Sequence, residues 1–171
     1  MPRSLASLLV ALALPLMAAH AQSASSPPRF GAAFNGLVSL PDDGLGLGIR
    51  GRASLPLNAD LSFALDLGAS GFILRGSRNA TYVVEPQLSL IINMPNSRFT
   101  TDARFMYALA GVGAYVPTGD EDAKGGPTIH GGVGWVVPLR ETSMYYELDP
   151  ALVIAPDRVG LAIPFRVGLI F

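Results

Sequence analysis

The chain contains no cysteine, which excludes disulfides, thiol nucleophiles and cysteine-bound zinc together. It is also poor in charge. Only 15% of its 171 residues are Asp, Glu, Lys or Arg, where an ordinary soluble domain carries roughly 25%. The net charge is −1, so nothing in the balance favours a nucleic-acid partner. Beyond the first segment no apolar run is long enough to cross a bilayer as a helix, and no stretch sustains a helical period. Transmembrane helices and helical bundles are therefore excluded. Disorder is excluded from the opposite direction, because half of the chain is apolar.

The first segment has the form of an export signal. Arg3 supplies a short basic region, Leu8 to Met17 an apolar stretch too short for a span, and Ala19-His20-Ala21 a small-x-small cleavage site. Cleavage is expected after Ala21, with residues 22–29 as a flexible lead-in and 30–171 as one folded domain. His20 would leave with the signal, so that His130 is the one histidine of the exported chain.

Two-residue alternation repeats along the remainder, interrupted by clusters of Gly, Pro, Asn, Asp and Ser that supply turns. The pattern predicts an all-β domain of eight strands, at about 30–40, 44–57, 60–73, 80–94, 101–117, 127–139, 143–155 and 158–171. The last is the clearest. Val159, Leu161, Ile163, Phe165, Val167, Leu169 and Phe171 share one face, and Gly160, Ala162, Pro164, Arg166, Gly168 and Ile170 the other. The second, third and sixth strands repeat the pattern.

Alternation alone does not say which face meets water. The polar face is mostly Gly, Ala and Ser, too low in charge for a water-exposed surface. The apolar face is bulky, whereas an eight-stranded barrel has room inside only for modest side chains. The polar face also carries both signs: Arg50, Arg52, Arg104 and Arg166 against Asp66, Glu85, Glu147 and Asp149. These observations predict an antiparallel up-and-down transmembrane β-barrel, with these eight residues forming a paired, structural charge network in the lumen. Phe30, Tyr146 and Phe171 are expected at the periplasmic rim, and Tyr82 and Tyr115 at the outer rim.

The signal segment, the eight alternating strands and the closing Phe165-Arg166-Val167-Gly168-Leu169-Ile170-Phe171 resemble the small outer-membrane barrels of the OmpA/OmpX type. That resemblance implies outer-membrane insertion by the barrel-assembly machinery, with Phe165, Val167, Leu169 and Phe171 as the assembly signal. It carries over no functional residue.

Several motifs invite chemistry and lack its context. Gly46-Leu47-Gly48-Ile49-Arg50-Gly51 matches a dinucleotide fingerprint, but another alternating strand follows where a helix is required. Asp120-Glu121-Asp122 fits no complete calcium loop. Asn79-Ala80-Thr81 is a formal glycosylation sequon, uninformative in a bacterial envelope. His130 and Glu147 are expected inward on adjacent strands, but a hydrolase would need a serine at the histidine, and Ser143 or Tyr145 qualify only by neighbourhood.

The sequence therefore predicts a non-enzymatic, monomeric integral outer-membrane barrel without cofactor or metal. Its expected role is in envelope integrity or surface interaction, and its expected partners are outer-membrane lipids, lipopolysaccharide and, during biogenesis, the assembly machinery. The alternatives are a lipid-modifying enzyme in the same fold, a soluble exported barrel holding an apolar ligand, and a narrow channel. Too few strands and the paired lumen charges argue against the last.

Overall fold

The computed structural model describes residues 27–40, 44–74, 82–94, 105–118 and 125–171. The expected signal, residues 22–26 of the lead-in, Asn79 to Thr81, Arg104 and the acidic triplet at 120–122 lie outside them. The strands are β1 (Arg29–Ser39), β2 (Gly44–Pro56), β3 (Leu61–Leu74), β4 (Tyr82–Met94), β5 (Phe105–Thr118), β6 (Gly126–Pro138), β7 (Ser143–Leu148), β8 (Ala151–Ala155) and β9 (Arg158–Ile170). Every pairing is antiparallel, β1 to β7 follow one another in the sheet in sequence order, and β1 pairs with β9 from Gly31↔Ile170 to Ser39↔Ala162. The sheet is thus closed. Phe30 and Phe171 exchange backbone N–H···O bonds of 3.0 and 2.8 Å beyond that ladder, so the seam is bonded to its end.

The segments β7 and β8 occupy one position, both lying between β6 and β9. The barrel therefore has eight staves, and the strand expected at 143–155 is one of them, broken at Asp149-Pro150. Pro150 has no N–H to give, and Pro164 on the facing stretch of β9 has none either. The chain is stitched across the break by Gly131 N–H to Pro150 O (3.1 Å) and Asp149 N–H to Pro164 O (3.3 Å).

Burial follows the two-residue period and is inverted relative to a soluble protein. Phe34 is 78% exposed, Ile49 66% and Leu67 60%, whereas Glu147 and Arg166 are fully buried. No charged residue faces outward on any described strand, as contact with hydrocarbon requires. Phe30, Tyr82 and Phe171 are exposed and Tyr146 lies on the outer face between Trp135 and Val167.

Two expectations need correction. Tyr115 is not a rim residue. It shares the inner face of β5 with Tyr107 and Leu109 and is buried, 2.7 Å from Ser39 Oγ. Nor are lumen side chains uniformly modest: Leu37, Phe72, Tyr107, Tyr115 and Tyr145 all point inward. They fit because large residues face glycines across the ladder. Tyr107 pairs with Gly134 and Tyr145 with Gly168, and a Cβ on Gly134 would collide with the Tyr107 ring.

The facing assignment has a direct test. Leu67 lies midway along β3 on the outer face. Leu67→Arg is expected to lower folding stability in lipid bilayers by about 2–4 kcal/mol, and Ser62→Thr on the inner face to cost much less. Equal tolerance of the two, measured by urea titration in vesicles, would reverse inside and outside.

Candidate functional site: the lumen charge network

The lumen is layered along the barrel axis. Toward the end where β1 begins, Ala64, Ile91, Tyr107 and Leu109 form an apolar layer with Val136 against it. At the other end Leu37, Phe72, Val83, Tyr115, Val153 and Ala162 form a second. Between and beside them sit the buried charges, supplied by inward positions of β2, β3, β4, β7, the β7–β8 break and β9.

Glu147 is the hub. Its Oε2 accepts from Arg52 Nη1 (2.7 Å) and the Tyr107 hydroxyl (2.8 Å), and its Oε1 from Arg52 Nη2 (3.0 Å) and Arg166 Nη1. Arg52 thus binds it with both arms, and its Nε turns to Asp66 Oδ1 at 2.8 Å. The same guanidinium lies 5.3 Å from the Tyr145 ring centre, an added cation–π attraction. Arg166 continues the chain to Asp149 (2.8 Å) and to Gln87 Oε1 (3.0 Å). Arg50 donates to the same Gln87 oxygen and lies 3.4 Å from Glu85, which also receives Asn35 Nδ2 at 3.3 Å. His130 Nδ1 meets Asp149 Oδ1 at 2.8 Å.

Of the eight charges expected in the lumen, Arg50, Arg52, Asp66, Glu85, Glu147, Asp149 and Arg166 are all buried there and each has an oppositely charged partner. Arg104 is outside the described residues. Asp66 pairs with Arg52, its cross-strand neighbour, and Arg50 with Glu85 instead. His130 and Glu147, considered together from sequence, are not partners, because the histidine is held by Asp149. Ser143 and Tyr145 do not bond to it among the described contacts. The residues missed are neutral: Gln87, Tyr107 and Asn35 join the network by hydrogen bonds. Their inward parity on β4, β5 and β1 was the available signal, but only the fold shows which reach the charges. Phe165, Val167 and Leu169 line the outer face of β9, with Phe171 just past its end.

Such an arrangement neutralises charge and fills volume. Buried ions are costly unless paired and hydrogen-bonded, and here each carboxylate faces guanidinium or imidazole. Residues 46–51 lie within β2 with no helix after them, so the glycine motif forms no phosphate cradle. Among the described residues no group of three or more His, Asp and Glu gathers as metal ligands.

No protein-family model matches the chain, and no curated protein matches it in sequence. Solved structures do. The barrel is similar to Neisserial surface protein A, with a TM-score of 0.64 and 16% identity, covering 86% of this chain and 98% of that one. The fold is that of the small eight-stranded outer-membrane barrels. The N-terminal β-barrel domain of Pseudomonas aeruginosa OprF is also similar, with a TM-score of 0.53 and 15% identity over 84% of this chain and 97% of that one. In a barrel of this type the seven described charges form a core made of ions where a soluble protein would have hydrocarbon.

Removing the hub should therefore be severe. Glu147→Gln leaves two guanidinium groups under-paired and is expected to destabilise the barrel by about 3–5 kcal/mol. A double-mutant cycle between Arg52 and Asp66 should show coupling of about 0.5–3 kcal/mol, and one between Arg50 and Asp66 much less. Equal coupling for both arginines, read from unfolding of protein refolded in micelles, would contradict the assigned pairing.

Proposed function

We propose that the protein is a non-enzymatic, monomeric integral barrel of a Gram-negative-type outer membrane, exported by a cleaved signal, with a role in envelope integrity or surface interaction. The observation that carries this reading is the inversion of polarity: ions inside, and exposed Leu, Ile and Phe around the outside. That outer band is suited to lipid acyl chains, and the rims to phospholipid and lipopolysaccharide headgroups. The interior speaks against the other classes. A carrier of an apolar ligand needs an apolar cavity, whereas this lumen is filled by guanidinium–carboxylate pairs. A channel needs a continuous aqueous path, whereas apolar layers lie on both sides of the charges. A lipid hydrolase needs a nucleophile open to lipid, whereas the His130–Asp149 pair is buried in the lumen.

In this reading the end where β1 begins and β9 ends faces the periplasm, and the assembly machinery reads Phe165, Val167, Leu169 and Phe171. Deleting Phe171 is then expected to lower insertion in cells more than it lowers the stability of protein refolded in detergent. A parallel loss in both assays would make Phe171 a part of barrel closure alone.

The proposal as a whole is tested by envelope fractionation and a deletion strain. The expected result is a detergent-dependent, heat-modifiable protein in the outer-membrane fraction. Its loss should increase sensitivity to detergents or reduce surface binding, leaving lipid A structure unchanged. A water-soluble monomer, or altered lipid A acylation in the deletion strain, would overturn it.

A further inference from the structure

The inner face of β5 carries two glycines, Gly111 and Gly113, and polar side chains stand on both sides of them. Ser89 and Gln87 on β4 pair with Gly111 and Gly113, and across β5 the same glycines pair with His130 and Thr128 of β6. The result is a short trough with a floor bare of side chains and walls of Ser, Gln, His and Thr. A Cβ on Gly111 would lie 2.7 Å from His130 Nε2, and one on Gly113 2.9 Å from Thr128 Oγ1. Both β6 side chains therefore lean over the floor toward β4.

Three of the four walls have polar atoms that the chain does not satisfy. Ser89 Oγ, Thr128 Oγ1 and His130 Nε2 are buried without a hydrogen-bond partner from the protein, and their residues are only 2%, 3% and 4% exposed. A buried hydroxyl or imidazole nitrogen left without a partner loses the hydrogen bond it would make in water, so three in one trough call for a common partner. Asp149 occupies His130 Nδ1, which fixes the ring so that the other nitrogen faces the trough.

We propose that this trough is a water-binding site, in which a bound water bridges Ser89 Oγ to His130 Nε2 across Gly111, with Thr128 Oγ1 as a further polar partner along the floor. Water suits the site because it donates and accepts, whichever form the imidazole takes, and buried waters usually have two to four polar partners. The bridge links β4 to the network by a route independent of Gln87. It runs from Ser89 through water to His130, then to Asp149, Arg166 and the Glu147 hub. Gly111, having no side chain, lets the His130 ring approach β5 to the point where a Cβ would lie 2.7 Å from its Nε2.

The chain has only two histidines, so the site can be read directly by imidazole nitrogen resonance. The chain from Gln22 onward, whose one histidine is His130, is labelled with ¹⁵N-histidine and refolded in micelles, so every imidazole signal belongs to His130. The expected result is magnetisation transfer between bound water and the His130 ring at its Nε2 side. Ser89→Ala should weaken that transfer and shift the Nε2 resonance, and Ser89→Thr, which keeps the hydroxyl, should retain it. Absence of water transfer in the unmutated protein would show a dry trough and overturn the proposal without any variant. An Nε2 signal unmoved by Ser89→Ala, in protein whose circular dichroism shows it folded, would overturn the bridge to Ser89.

Discussion

A β-strand in hydrocarbon has no water to bond its edges, so every backbone N–H and C=O must find a partner within the sheet. The β1–β9 seam meets that demand, and much else follows from it. Closing eight staves gives each strand one face to lipid and one to an enclosed lumen. The two-residue period then decides the environment of every side chain. Leu67 and Asp66, adjacent in sequence, end in hydrocarbon and in an ionic core. The break at Asp149-Pro150 is a local departure, spanned by backbone bonds to Gly131 and Pro164.

Closure also creates a packing problem. The lumen is narrow, yet it receives Arg50, Arg52, Arg166 and three tyrosines. Glycine resolves the conflict by position. The Tyr107 ring covers Gly134, and a Cβ on Gly68 would lie 2.9 Å from the Arg50 guanidinium. Long polar side chains thus cross the lumen sideways and bond to distant staves. Arg52 on β2 reaches Glu147 on β7, ninety-five residues away in sequence. These cross-lumen bonds tie opposite walls together, so the ionic core serves as the counterpart of a hydrophobic one. The layers containing Phe72 and Tyr107 give the charges low-dielectric neighbours, where pairing is strong and an unpaired ion is costly.

The fold was largely legible because alternation is a local property. Apolar-polar parity in the stretches around Leu45 to Leu57 and Val159 to Phe171 required nothing beyond the order of residues. The facing was legible as well, since a polar face so poor in charge could not serve as a soluble surface. The site was legible in membership more than in wiring. The seven described charges lie where parity put them, but Asp66 had two candidate arginines and the register selects Arg52. Tyr115 was misjudged because an aromatic near a strand end suits a rim, and only its parity with Tyr107 and Leu109 places it inside. Gln87 was overlooked because a neutral amide carries no charge to balance, although two arginines meet at its oxygen.

The sequence by itself determined the strand period, the positions of most turns and the side of the sheet to which each charge belongs. These depend on neighbours two residues apart and on composition. The tertiary structure alone decided which side chains meet across the lumen. Partner choice depends on register, on the height at which each stave passes its neighbours, and on which glycines leave room. His130 shows the difference. Its inward direction follows from Thr128, His130 and Gly132 alternating with apolar residues. Its partner is Asp149 rather than Glu147 because the register sets Glu147 opposite Gly134, further along β6, and puts Asp149 beside Ala151, the cross-strand neighbour of His130.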